Sequence, residues 1–290
     1  MKIIDGKNIS KEIIKNIQEK VQLKIQADSY SPKLAIILVG DDYASLTYVS
    51  AKIRTCEKVG ISTQLFKFDD NVKNGQVIDK INELNINPDY HGILVQLPLP
   101  SHLNQREILD IINPLKDVDG LTSSNTGLLA LNRPRFIPAT PLGIQKLLIE
   151  SKVEIEGKNI VICGRSNIVG KPLFNLFSND QVNANATVTL CHSKTKNLIN
   201  HTKNADILIV AVGKPEFINE SMVKEGSIVI DVGINRVKDD FNNKGYRIVG
   251  DVNFDSLMNK VSMITPVPGG VGPMTIAMLL ENVLKSASYI

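Results

Sequence analysis

The chain has 290 residues, enough for two ordinary domains or one large one around a well-buried core. Apolar residues make up 43% and charged residues 22%, which excludes a disordered or fibrous class. The net charge of +3 comes from scattered lysines and arginines, several alternating with acidic positions, so nucleic acid is not an expected partner.

The longest apolar runs, such as Ile207–Val212, are too short to span a bilayer, and Met1–Asp5 lacks the apolar region of a secretory leader. A cytoplasmic protein with no membrane contact is expected. Cys56, Cys163 and Cys191 lie far apart and fit no metal-ligand spacing, so no metal is expected.

Taken in chain order, short β-branched runs alternate with segments of helical period. The first half reads as helix Ser10–Gln26, strand Leu34–Val39, helix Ser45–Val59, strand Thr63–Phe68, helix Gly75–Leu84 and strand Gly92–Gln96. Pro134, Pro138 and Pro141 then interrupt regular structure and mark a domain boundary within Asn132–Pro141. The second half reads as helix Gly143–Glu150, strand Asn159–Cys163, helix Pro172–Phe177 and strands Thr187–Cys191, Ile207–Ala211, Ile228–Val232 and Met263–Pro266. A last helix, Pro273–Ser286, follows a Gly/Pro-rich loop and is expected to return to the first domain. Such alternation implies an α/β protein with parallel sheets covered on both faces.

The helix over Ser45–Val59 carries two stripes. Leu46, Val49, Ile53 and Cys56 follow the spacing of a buried face, and Ser45, Tyr48 and Lys52 lie beside them. A phenol and an amine one turn apart, partly desolvated, move the lysine toward neutrality; the alternative is a snorkelling lysine beside a surface tyrosine. Gln96 ends an apolar strand and faces either a crevice or a loop, and Lys116–Gly120 is either an ordinary acidic turn or one whose Asp119 accepts hydrogen bonds from an amino-heterocycle. Pro266–Thr275 packs glycines between prolines and offers backbone that a flat ligand can approach closely.

The strand Asn159–Cys163 runs into Gly164-Arg165-Ser166 and then toward a helix, as a strand-to-helix turn that receives a pyrophosphate does. The next strand ends in His192-Ser193-Lys194-Thr195-Lys196, without the carboxylate that receives the ribose 2′-hydroxyl of NAD. Ser193, Arg165 and nearby lysines suit a 2′-phosphate, which makes NADP the expected cofactor. Asp231–Asn235 falls at the carboxyl edge, where ligands bind in open α/β sheets.

Together, Val39–Lys52, Val95–Pro100, Lys116–Gly120, Gly164–Ser166 and Pro266–Thr275 resemble, in order, the bifunctional methylenetetrahydrofolate dehydrogenase/methenyltetrahydrofolate cyclohydrolase family. The resemblance implies an N-terminal α/β catalytic domain over residues 1–138 and a Rossmann-type NADP domain over 139–272. It also implies a cleft between them, helix 273–290 packed back on the first domain, and a homodimer. Lys52 corresponds to the catalytic lysine, Tyr48 to its partner, Gln96 to the residue that positions and tunes both, and Asp119 to the pterin-holding aspartate. Val95, Leu97, Pro268, Gly269, Gly270, Val271 and Gly272 would line the folate pocket. Gly164, Arg165, Ser166, Ser193, Ile234 and Thr140 would contact NADP. One departure is Ala139, where many members carry Cys; it removes no required chemistry. The alternatives are a monofunctional dehydrogenase, a non-catalytic NADP-binding sensor and a shikimate-type dehydrogenase.

Overall fold

Two parallel sheets follow from the two sets of apolar runs. The structure, a computed structural model, describes residues 1–28, 30–240 and 245–290. After β1 (Lys2–Ile3), Asp5 starts helix α1 (Gly6–Asp28) by accepting the Asn8 amide at 3.0 Å. Then come β2 (Lys33–Val39), α2 (Tyr43–Val59), β3 (Ser62–Phe68), α3 (Asn74–Ile86), β4 (Gly92–Val95), α4 (Gln105–Asp110) and α5 (Ser123–Ala130). The three strands β2 to β4 pair in parallel, in the order β3-β2-β4. Central β2 is buried almost throughout, as a strand apolar on both faces must be, whereas edge strand β3 mixes exposed and half-buried residues. Ala35, Ile37, Val39, Ile93 and Val95 share one core cluster with Val77, Ile81 and Leu84 of α3.

The chain continues through α6 (Ala139–Glu150), β5 (Asn159–Cys163), α7 (Gly170–Ser178), β6 (Thr187–Cys191), α8 (Leu198–Thr202), β7 (Ile207–Val210) and β8 (Ile228–Asp231). An antiparallel pair, β9 (Asn235–Lys238) and β10 (Tyr246–Val249), precedes α9 (Phe254–Leu257), β11 (Met263–Ile264) and α10 (Val271–Ser286). The six-stranded sheet is parallel throughout, in the order β1-β11-β8-β7-β5-β6. The chain moves from β5 to β6 on one side and then returns to place β7 on the other. That reversal opens a crevice at the carboxyl ends of the strands.

Packing divides the chain into two units, Met1–Ser10 with Thr140–Thr275 and Lys11–Ala139 with Ile276–Ile290. Several expected bounds move. The strands expected to reach Gln96, Ala211, Val232 and Pro266 leave their ladders at Val95, Val210, Asp231 and Ile264, where the chain turns into loops. Helix α10 starts at Val271 rather than Pro273, and α2 starts at Tyr43 because Asp42 caps it through the Ser45 amide at 2.8 Å. Ser45 is 5% exposed and joins the buried face with Val49, Cys56 and Val59, not the polar stripe. Among the described residues no helix is long and apolar enough to cross a membrane.

Helix α10 ends within the Lys11–Ala139 unit through polar bonds as well as apolar packing. Asn282, 3% exposed, donates to the Val118 and Ile137 carbonyls at 2.8 and 3.0 Å. Ser286 donates to the His91 and Leu115 carbonyls. Replacing Asn282 by Ala strands two buried carbonyls, so the urea unfolding free energy is expected to fall by about 2 kcal/mol. An unchanged midpoint would show that these bonds contribute nothing net.

Candidate active site

Lys52 sits on α2 one turn after Tyr48, and its amine donates to Gln96 Oε1 at 2.9 Å. Gln96 follows β4 directly. Its backbone amide donates to the Ile37 carbonyl at 2.9 Å, and its Nε2 donates to the Leu97 carbonyl at 2.6 Å. The second bond fixes the side-chain amide so that its oxygen faces the amine. Lys52 therefore has a neutral acceptor rather than an ion-pair partner. Burial pushes its amine below the usual lysine range, while the Asp119 carboxylate pulls it the other way. Burial likewise pushes the Asp119 carboxyl up, against the opposing pull of Lys52.

Asp119 owes its position to its neighbour Asp117, which is 1% exposed. The Asp117 carboxylate accepts from the Leu121 amide (3.1 Å), the Thr122 amide (2.8 Å) and Asn125 Nδ2 (2.8 Å). The Asp119 side chain makes no hydrogen bond among the described residues, and neither does the Tyr48 hydroxyl. Tyr48 is 37% exposed, and burial of the remainder pushes its phenol up. Lys52, Gln96 and Asp119 thus act on one another, while Tyr48 lies one turn away without a bond to them. Val95 is 2% exposed in the core cluster, and half-buried Leu97 packs against that cluster. A lysine whose pKa is lowered by burial, beside an amide acceptor and an unpartnered carboxyl, gives up and takes back a proton more readily than a solvated lysine.

At the carboxyl edge of the six-stranded sheet, a cavity of about 270 Å³ spans the reversal. Gly164 and Arg165 after β5, His192 and Ser193 after β6, and Ala211, Val212 and Lys214 after β7 line it. Gly164 has φ +120°, and a Cβ there would lie 2.1 Å from the Ala211 carbonyl oxygen, so only glycine lets these loops meet. Among the described residues, Arg165 and Ser193 make no side-chain hydrogen bond or ion pair, and the cavity lining holds no carboxylate. Ser166, an expected cofactor contact, also has a local role. Its hydroxyl accepts the Val169 and Gly170 amides at 3.1 and 3.5 Å and so shapes the start of α7. His192 also shapes its loop, with Nδ1 accepting the Lys194 amide at 3.1 Å, while Lys194 and Lys196 do not line the cavity.

The remaining candidates meet elsewhere in the same unit. Ile234, 48% exposed, lies 3.8 Å from where a Cβ on Gly272 would be. The Thr140 and Thr275 hydroxyls bond at 3.0 Å. The Lys7 amide at the start of α1 donates to the Gly269 carbonyl at 2.9 Å, and Gly6 packs against the Gly270 carbonyl, so the N-terminal segment braces the Pro268–Gly272 loop. Exposed Pro268 and half-buried Gly269 lie outermost, while Gly270 and Val271 are buried.

Sequence reasoning missed Ala211, Val212 and Lys214 as cavity residues, because Ala211 reads as the last residue of a strand and the loop after it carries no motif. The order of strands would have found them, since β7 neighbours β5 and its carboxyl end shares the edge of Gly164.

Two family models match, the tetrahydrofolate dehydrogenase/cyclohydrolase catalytic domain over residues 4–119 and the NAD(P)-binding domain of the same family over residues 138–290. A Wolinella succinogenes protein named bifunctional protein FolD is 50% identical over 99% of this chain and 97% of its own length. A Bacillus velezensis protein of the same name is 48% identical over 98% and 97%. The Campylobacter jejuni FolD methylenetetrahydrofolate dehydrogenase/cyclohydrolase structure superposes with a TM-score of 0.93 at 47% identity, over 100% of this chain and 99% of that one. The Trypanosoma brucei methylenetetrahydrofolate dehydrogenase-cyclohydrolase, solved with NADP cofactor and inhibitor, gives 0.93 at 37% identity, over 99% and 97%. Matches that cover both halves of the chain, together with the Lys52 cluster and the cavity at the sheet reversal, place this chain in the tetrahydrofolate dehydrogenase/cyclohydrolase family.

Proposed function

We propose that Lys52, oriented by Gln96 and tuned by Asp119, moves the protons in the reactions this chain performs. The chain oxidises 5,10-methylenetetrahydrofolate to 5,10-methenyltetrahydrofolate with NADP+ and hydrolyses that product to 10-formyltetrahydrofolate. The observation that carries the residue assignment is the Lys52–Gln96 bond at 2.9 Å, with the amine held below its ordinary range by burial.

When bound, NADP+ supplies the hydride acceptor. Gly164 keeps the backbone open for the cofactor, and Arg165 and Ser193 offer unused donors to a 2′-phosphate. The lack of a carboxylate in the cavity lining among the described residues favours that phosphate over a bare ribose hydroxyl. Ile234 and Thr140 complete the proposed cofactor contacts.

In the hydrolytic step, water attacks the methenyl carbon. Its proton passes to the Lys52 amine, which burial makes easier to deprotonate, as the carbon–oxygen bond forms. The bond from that carbon to N5 then breaks, the ammonium returns the proton to N5, and the remaining hydroxyl proton leaves to solvent as the formyl C=O forms. Gln96 accepts one N–H of Lys52 throughout and fixes the direction of the transfer. Asp119 accepts hydrogen bonds from the pterin, and the unpartnered Tyr48 hydroxyl holds the attacking water. The family resemblance also supports a cytoplasmic homodimer.

Replacing Lys52 by Met is expected to lower cyclohydrolase turnover about 10³-fold, so that methenyl product accumulates when methylene substrate and NADP+ are supplied. Full hydrolysis in that variant would remove the assigned role. Asp119→Asn takes away the charge that raises the Lys52 pKa, so the amine loses its proton at lower pH. The ascending limb of the cyclohydrolase pH profile at saturating folate is therefore expected to move to lower pH, and a shift upward would contradict the coupling. Arg165→Ala is expected to raise the KM for NADP+ about 30-fold and leave that for NAD+ unchanged. Equal effects on both nucleotides would remove the 2′-phosphate assignment.

A further inference from the structure

Asp251 is fully buried, in the loop between β10 and α9, and it is neither a candidate catalytic residue nor part of the cavity wall. Its carboxylate nonetheless accepts four hydrogen bonds. Oδ2 accepts the Val212 and Gly213 amides at 2.6 and 2.9 Å, and Oδ1 accepts the Lys214 amide at 3.0 Å and Asn235 Nδ2 at 2.8 Å. Three successive backbone N–H groups converging on one anion form a nest, closed by Gly213 at φ +66°. The anion that fills it is the protein's own side chain.

The two loops held this way both bear on the proposed cofactor site. Val212 and Lys214 line the cavity opposite Gly164 and Arg165, and Asn235 directly follows Ile234. A second carboxylate locks Asp251 in turn. Asp231, at the end of β8, accepts the Gly233 and Asp251 amides through Oδ1 and the Val252 amide through Oδ2, each at 2.9 Å. Gly233 lies so close that a Cβ on it would sit 2.3 Å from Asp251 Cγ. No side chain fits at Gly233, and no cation is bonded to Asp251 among the described residues.

We propose that Asp251 is a positioning residue for NADP+, whose buried carboxylate sets the Val212–Lys214 wall and the Ile234–Asn235 segment in one fixed arrangement. This rests on the placement of NADP+ in the cavity at the sheet reversal. The amide isostere exposes the dependence. In Asp251→Asn, whichever oxygen becomes NH2 points a donor at two donors, either Val212 and Gly213 or Lys214 and Asn235, so the nest must open.

The test uses the full-length enzyme and both of its activities. Cyclohydrolase activity is assayed on methenyltetrahydrofolate without nucleotide, and dehydrogenase activity is assayed across a range of NADP+ concentrations. For Asp251→Asn the KM for NADP+ is expected to rise about tenfold or more, with cyclohydrolase turnover within about twofold of the parent. Asn235→Ala removes one of the four bonds from a half-buried position and is expected to raise the same KM by about threefold with cyclohydrolase intact. An unchanged KM for NADP+ in a folded Asp251→Asn protein overturns the proposal. Where Asp251→Asn loses both activities together or fails to fold, the Asn235→Ala result decides, and an unchanged KM there overturns it. Arg165→Ala separates the two readings. If it leaves the NADP+ KM unchanged, the cofactor placement itself is wrong. If it raises that KM while the Asp251 and Asn235 variants do not, only the positioning role is lost.

Discussion

A lysine amine that has left water without gaining an anion is the constraint on which the catalytic half of this molecule turns. Had Lys52 met a carboxylate within bonding distance, the pair would have stayed charged, and the amine would have been a poor proton acceptor at neutral pH. Gln96 Oε1 satisfies one donor and adds no charge. Asp119 acts through the field and keeps its own carboxyl free of protein hydrogen bonds. The local structure exists to hold this compromise. Asp42 and Gly60 fix the ends of α2, the Gln96 amide pins the chain to Ile37 of β2, and Asp117 stiffens the turn that carries Asp119.

The polar side chains of the protein fall into two groups by the same reasoning. Asp117, Asp231, Asp251 and Asn282 are buried and spend their hydrogen-bonding capacity on loops and helix ends, so they act as structure. Asp119, the Tyr48 hydroxyl, Arg165 and Ser193 keep capacity that no described residue uses. Of these only Asp119 is withdrawn from solvent, whereas Tyr48, Arg165 and Ser193 are exposed and stand ready for a ligand at little desolvation cost. In each unit the unspent groups stand next to spent ones. Asp119 is two residues from Asp117, and the cavity wall at Lys214 hangs on Asp251.

Much of this was legible in the amino-acid sequence, because the strongest elements are those whose burial is read from period alone. Strands β5 and β6 carry the expected bounds, Asn159–Cys163 and Thr187–Cys191, since short β-branched runs flanked by polar turns leave little freedom. Tyr48 and Lys52 were visible because helical spacing set them beside the buried stripe. The weaker elements were not legible. β1 is two residues long and takes its strand identity from pairing with β11, far away in sequence. β9 and β10 alternate exposed and half-buried residues, with little apolar content to mark them. Ser45 was misplaced because its burial comes from tertiary packing that a helical wheel does not contain.

The part of the site least legible from sequence is the part built from backbone. Ser166 adjoins Gly164 and Arg165, and its hydroxyl also accepts the amides that start α7, a backbone role the motif does not announce. Ala211 and Val212 looked like the end of an apolar strand, yet they form a cavity wall, because the chain places β7 next to β5 rather than beyond β6. Neither fact follows from a motif. Both follow from which loops share an edge, and in a doubly wound sheet that is fixed where the strand order reverses. A carboxylate some 40 residues further along, such as Asp251, can then govern the wall through main-chain amides, with Gly213 supplying the positive φ that turns them toward it. Side-chain motifs therefore mark who touches the ligand, while a buried acid with no cation marks who shapes the site.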